Sequence, residues 1–268
     1  VFEHANELII GSQSFAAEVH ENHGVPIERL RIIPGAIDVE RFKPRTGRCI
    51  GDIARPPVLL YHGRVDRRKG ILELIDAVDI LHQQGVELRL IVSGIGPDLD
   101  AAQAASTERS LDHIIEFSEY VDYDAVAGVY RRADLFVSPT WSEGFSNTIL
   151  EAMASGLPIV ASRSVGVVDC LTDEENALFH AVHDVGGLAS QIRRLIDDPS
   201  LRQRLAQSAL AEVQENYQWP LVARQLVERL ETNREREPDN RWTNDYDPSQ
   251  MVEAADMSCR FRAAPHLL

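Results

Sequence analysis

From Val58 onward the chain alternates short, unbroken apolar runs with longer stretches whose apolar residues recur at helical spacing, and this alternation restricts the fold more than any other feature. Val58-Leu59-Leu60-Tyr61-His62, Leu88-Arg89-Leu90-Ile91-Val92, Ile114-Ile115-Glu116-Phe117, Leu135-Phe136-Val137-Ser138 and Leu157-Pro158-Ile159-Val160-Ala161 are the runs. Their length and continuity are those of strands covered on both faces. Between them, Ile71 to Gln84 places Leu72, Ile75, Val78 and Leu81 at helical spacing. Further helices are expected from about Leu99, around Ala125–Arg132 and from Asn147 to Ser155, the last closed by Gly156. Strands separated by helices of this length imply βαβ units, hence an α/β fold built on a doubly wound parallel sheet. Ligands of such sheets bind beyond the carboxyl ends of the strands.

The flanks read differently. Residues 1–44 look like the end of another unit: a strand at Glu7-Leu8-Ile9-Ile10, a helix capped by Ser12 or Ser14, a second strand at Leu30-Arg31-Ile32-Ile33, then a connecting loop. Arg45 to Pro57, rich in Gly, Pro and mixed charge, has the composition of a linker. The sheet domain is expected over 45–216. Three consecutive helices fill 185–232, broken at Pro199 and Trp219-Pro220, and the last of them, 217–232, stands apart. Asn233 to Arg241 carry no apolar face and the stretch on to Leu268 is mixed and weakly patterned, so 233–268 is expected to form a mobile tail, with a short helix near Met251. With no initiator Met, the chain is expected to begin inside a longer protein.

Charge narrows the partners. Forty-two acidic residues against 27 basic ones give a net −15, which argues against nucleic acid but leaves room for one bound phosphate ester. No apolar run approaches the length of a membrane span, and the first residues have no signal-peptide pattern. Cys49, Cys170 and Cys259 form no CxxC pair, so reduced thiols are the default.

The chemistry-bearing residues fall just after strands. Gly63-Arg64-Val65-Asp66-Arg67-Arg68-Lys69-Gly70 puts two cations, Arg64 and Lys69, beside a helix start, where free amides and partial positive charge favour an anion; Arg67 and Arg68 are left to solvent. A solvated basic loop is the plain alternative. Ser93-Gly94-Ile95-Gly96-Pro97 allows close approach of a ligand, or is an ordinary tight turn. Between Ser138 and Gly156, Glu143 and Glu151 are spaced E-x7-E across a loop-to-helix junction, with Asn147 as the expected N-cap. Two carboxylates can accept hydrogen bonds from a polyol, and the amides of Gly144, Phe145 and Ser146 can face a phosphate or sugar oxygen. The competing reading makes Glu151 a capping-box partner and Glu143 a surface acid.

Taken in order and spacing, Gly63-Arg64…Lys69-Gly70, Gly94-Ile95-Gly96, Ala133-Asp134-Leu135, Pro139, Glu143-Gly144-Phe145…Glu151-Ala152-Met153-Ala154-Ser155-Gly156-Leu157-Pro158-Ile159-Val160-Ala161 and Asp197-Asp198-Pro199 resemble the C-terminal, donor-binding domain of glycosyltransferase family four, the retaining group 1 enzymes of GT-B architecture. The resemblance runs from about Glu7 to Leu230. It implies a nucleotide-sugar-binding, Rossmann-like domain over 45–216, a truncated acceptor lobe over 1–44 and a crossover helix over 217–232. By the same resemblance Arg64 and Lys69 bind the donor diphosphate, Glu143 the hydroxyls of the transferred sugar and Glu151 those of the ribose. Gly63 and Gly94 and the amides of Phe145, Ser146 and Asn147 complete the cradle, and Phe117 to Val121 lies near the base. The implied partners are a nucleotide-sugar donor and a carbohydrate or lipid-linked acceptor, with no cofactor and no metal. The implied setting is cytoplasmic, at the inner membrane face where the missing lobe makes peripheral contact.

The sequence departs from the family pattern at three points. Glu119 replaces a glycine near the expected base pocket, Pro34-Gly35-Ala36 replaces Pro-Asn-Gly, and Asn176-Ala177 replaces Asn-Gly before the final strand. An epimerase lacks an obvious base pair here, and a phosphorylase lacks its pyridoxal lysine signature. A non-catalytic nucleotide-sugar-binding module is the reading from another class.

Overall fold

The computed structural model describes residue 5, residues 7–118 and the backbone of residues 120–234, with side chains to Thr232. Glu119, the expected tail beyond 234 and its helix near Met251 lie outside the described residues.

Six parallel strands form the sheet: β3 (Val58–His62), β4 (Arg89–Ser93), β5 (Ile115–Ser118), β6 (Leu135–Ser138), β7 (Ile159–Ser162) and β8 (Leu178–His180), with β1 and β2 reserved for a smaller N-terminal sheet. Their spatial order is β5-β4-β3-β6-β7-β8. The chain thus works outward from β3 in one direction, returns to the centre at β6 and works outward in the other. The apolar runs are continuous because successive residues serve opposite faces. Leu59, Leu90, Leu135 and Val160 enter one core, against α2 (Ile71–Gln83), α3 (Leu99–Glu108) and α6 (Val185–Asp197). Leu60, Ile91, Phe136 and Ile159 enter the other, against α4 (Tyr123–Arg132) and α5 (Asn147–Ala154). Helix α7 (Pro199–Asn216) contributes Leu201 and Leu205 to the first core and Ala209 and Val213 to the second, closing the sheet from the side.

Residues 45–57 are irregular, as their composition suggests, but they are not a free linker. Arg48 pairs with Asp134 at 2.8 Å, and buried Arg202 donates to Gly51 O while also holding the last carbonyls of α6, Leu195 O and Ile196 O. One buried guanidinium therefore fastens this segment to the α6–α7 corner.

The N-terminal segment has a small core of its own. β1 (Leu8–Ile10) and β2 (Leu30–Ile32) pair in parallel across α1 (Gln13–His23), packing Ile10, Ala16, Val19, Val25 and Leu30 together. Ser12 caps α1, accepting from Phe15 N, and Asp169 receives the amides of Gln13 and Ser14 at the same helix start. The last helix, α8 (Trp219–Arg234), extends two residues past the expected boundary and ties back through Arg229 to Glu7. Among the described residues no helix is long and apolar enough to cross a membrane.

Candidate functional site

The strand order reverses between β3 and β6, so the loops after these two strands diverge and leave a crevice at their carboxyl ends. A cavity of about 230 Å³ occupies it. Gly63, Arg64 and Lys69 line it from the β3 side, and Ser138, Glu143 and Asn147 from the β6 side.

The β3 loop is shaped by its own polar groups. Tyr61 Oη donates to Arg64 O at 2.6 Å, and buried Asp66 accepts from Arg68 N at 2.9 Å, starting the single 3-10 turn Arg67–Lys69. The Arg68 guanidinium bound to it, aided by Arg64 3.6 Å away, holds the Asp66 carboxyl below its usual range. Arg67 and Arg68 point outward and pair with Asp98 and Asp66. Arg64 and Lys69 turn to the cavity, their side chains 43% and 34% exposed, so both charges reach solvent and any ligand. Gly70 ends the turn at φ 72°, and a Cβ there would stand 2.1 Å from Pro139 O; only glycine lets the two loops meet.

Lys69 Nζ lies 2.9 Å from Glu143 Oε1, so the two motifs, 74 residues apart in sequence, are joined by an ion pair at the rim. Glu143 N donates to Val165 O, which fixes the loop that carries the carboxylate. The next amides, of Gly144, Phe145 and Ser146, donate to no acceptor among the described residues.

Several expectations change here. Ser146, not Asn147, occupies the N-cap of α5, and its hydroxyl lies 3.2 Å from Thr148 Oγ1 rather than on a backbone amide. Asn147 begins the helix with its side-chain oxygen against Gly35 of the N-terminal segment. A capping box for Glu151 is excluded, since Ile149 stands three residues after the cap. Glu151 lies one turn into α5, behind the cavity wall rather than on it, and accepts from Tyr130 Oη at 2.7 Å. Phe145 turns its ring toward Tyr217, leaving only its backbone near the cavity loop. Gly94 and Phe117 do not line the cavity: a Cβ on Gly94 would meet Gly63 O at 1.9 Å, and Phe117 packs on the first core. The glycine after β4 is thus packed against the end of β3, where a side chain would collide with the Gly63 carbonyl.

Residue patterns alone did not reveal Tyr130 and His62. Tyr130 is fully buried, and a buried phenol needs a partner for its hydroxyl; its place on the apolar stripe Val126, Ala127, Val129, Tyr130 was the available signal. His62, the last residue of β3, lines the cavity and packs edge-on against Tyr130 with ring centroids 5.5 Å apart. Burial lowers its pKa to about 4, so it is a neutral ring at physiological pH.

Burial also raises the Glu151 carboxyl to about 7, against the opposing pull of the Tyr130 hydroxyl and the Arg41 charge. The native state therefore retains a proton that the unfolded chain releases near 4.5, and stability contributed by this group falls as pH rises from about 4.5 to about 7. Glu151→Gln removes the titration. Its Tm relative to the parent is expected to climb by at least about 3 °C between pH 5 and pH 8; a difference that stays flat over that range would contradict a buried, proton-holding carboxyl.

The sequence profile of glycosyl transferases group 1 matches residues 50–211, well over half the chain. The chain belongs to that family. Among the relatives of this group 1 chain, the glycogen synthase of Mycobacterium tuberculosis is 29% identical over 224 residues, which is 82% of the chain but 52% of the relative. Of solved structures, sucrose-phosphate synthase from Thermosynechococcus elongatus superposes with a TM-score of 0.75 at 27% identity, covering 86% of the chain and 59% of that protein. HepE from Anabaena, crystallised in complex with UDP and glucose, shares the fold with a TM-score of 0.75 at 22% identity, over 85% of the chain and 63% of HepE. The chain thus spans about half the length of the curated relatives it matches.

Proposed function

We propose that this chain is the donor-binding half of an enzyme that transfers a sugar from a nucleotide-diphosphate sugar to an acceptor with retention of anomeric configuration. One observation carries the reading: Arg64, Lys69 and Glu143 converge on a single cavity at the switch point of the sheet. Cleavage of the anomeric C–O bond leaves a nucleoside diphosphate with added negative charge. Fixed cations aimed at that charge lower the barrier, each ~1.4 kcal/mol giving about tenfold in rate. Glu143 receives sugar hydroxyls, the amides of Gly144, Phe145 and Ser146 receive phosphate or sugar oxygens, and Glu151, expected from the sequence at the ribose, lies behind the cavity wall on Tyr130 and supports α5 from there. The HepE complex with UDP and glucose supports a ligand of this class for the same fold. The acceptor, a carbohydrate or a lipid-linked glycan, belongs to a second lobe of which residues 5–44 form an edge. Since Arg64 and Lys69 supply the positive charge, transfer is expected to survive chelation of divalent metals.

Thermal unfolding with a panel of nucleotide sugars tests the reading. A ligand at about 100 times its Kd stabilises the native state by about 2.7 kcal/mol, a shift of roughly 5–10 °C for a domain of this size. At least one nucleotide sugar should give such a shift in the parent and none in Arg64→Gln/Lys69→Gln. If no nucleotide sugar moves the transition, the reading fails. A non-catalytic binder would shift equally well yet show no transfer in the full-length protein.

A further inference from the structure

A second charged cavity lies at the opposite end of the sheet. It measures about 340 Å³, within the size range of small-molecule sites, and Arg45, Arg89, Arg131 and Arg132 line it with a single acid, Glu116. Arg89 opens β4, Arg131 and Arg132 end α4, and Arg45 arrives from the segment before β3. The two cavities are separated by the length of β3, roughly 15 Å at about 3.3 Å per residue.

We propose that this cavity binds the phosphate group of a small phosphate monoester of sugar-phosphate size. Two of the four cations have protein partners: Arg132 reaches both oxygens of Glu116 at 2.7 Å, and Arg45 donates to Ala133 O at 3.1 Å. Arg89 and Arg131 pair with no carboxylate among the described residues. Both guanidiniums are therefore available to an anion from outside the chain. Cations at a helix C-terminus are favoured by its dipole, which accounts for Arg131 and Arg132 and for Arg45, whose guanidinium donates to the C-cap carbonyl of Ala133, but not for Arg89, which comes from β4. Four guanidiniums around one concavity repel one another, and a dianion seated between them relieves the repulsion while accepting paired N–H bonds. The concave shape suits a compact group. The overall negative charge disfavours a long polyanion.

Isothermal titration of the chain with inorganic phosphate and with a hexose 6-phosphate tests this site, using an Arg64→Gln/Lys69→Gln background to silence the crevice between β3 and β6. Binding should persist in that background, weaken with salt, and be absent for the unphosphorylated hexose. It should fall at least tenfold in Arg89→Gln/Arg131→Gln and largely return in Arg89→Lys/Arg131→Lys; these exposed substitutions should leave the unliganded unfolding transition in place. Sedimentation with phosphatidylcholine vesicles containing phosphatidic acid forms a separate arm. Capture by those vesicles without a response to hexose phosphate would assign the same chemistry to a lipid headgroup. Unchanged affinity in the Gln pair, loss of binding in the Arg64→Gln/Lys69→Gln background alone, or no response in any arm would overturn the proposal. The result does not depend on the proposed transfer activity.

Discussion

Lys69→Ala, placed in the full-length enzyme, is expected to lower kcat by about 10²–10³-fold, the cost typical of removing one group that stabilises developing charge. The Lys69 side chain sits at the cavity rim, about a third exposed, and its ammonium is steered by the Glu143 carboxylate at 2.9 Å. In the proposed reaction the leaving diphosphate gains charge as the sugar departs, so Lys69 interacts more strongly with the transition state than with bound donor. The expected signature is a fall in kcat larger than any rise in the donor KM. The substitution also strands Glu143, only 11% exposed, without its counter-ion. Lys69→Ala/Glu143→Ala separates the two effects. Thermal stability should recover in the double variant while transfer stays lost, because the pair is one device and its substitutions do not add. Recovery of transfer along with stability would reduce Lys69 to a structural partner of Glu143.

Gly94→Ala is expected to destabilise the chain by about 3–5 kcal/mol, the range for forbidden backbone combined with a core clash, and to lower Tm by roughly 6–15 °C. Gly94 has φ 138°, where a side chain is strained whatever the space, and its Cβ would stand 1.9 Å from Gly63 O. Gly63 N donates to Ser93 O at 3.0 Å and Gly94 N to Ser118 O at 3.1 Å, so the ends of β3, β4 and β5 are laced together at this point. Forcing Gly94 away moves Gly63, the residue that aims Arg64. Ligand response should therefore weaken beyond what the loss of stability explains. A variant melting within about 2 °C of the parent would show that the strand ends can part at little cost.

The sheet was legible because its strands are covered on both faces: Leu59-Leu60-Tyr61 and Leu135-Phe136-Val137 leave no polar alternation to mislead, and each is followed by a helix of ordinary period. The pairing of Lys69 with Glu143 was readable only as two loops following two strands; that those strands are neighbours is a property of the strand order. Glu151 was noticed for its spacing, yet its setting depends on Tyr130, which sequence alone presents as one more apolar position on α4. The role of Gly94 was ambiguous because close approach by a ligand and close approach by a neighbouring carbonyl demand the same residue. The arginine-lined cavity could not be foreseen, since its members lie at positions 45, 89, 131 and 132, and only the folded sheet brings the first two beside the last.

At rest, Lys69 is already neutralised. On the proposed function, a donor phosphate arriving at the crevice would exchange one anion for another at that ammonium, and the displaced carboxylate would be freed to accept from a sugar hydroxyl. On that proposal, recognition of the two ends of the ligand would be coupled: a bare nucleotide would break the pair and leave Glu143 unsatisfied, whereas a nucleotide carrying its sugar would offer the carboxylate a new donor. Such a swap should make affinity less sensitive to ionic strength than two unpaired cations would, and should favour the intact donor over the spent nucleotide.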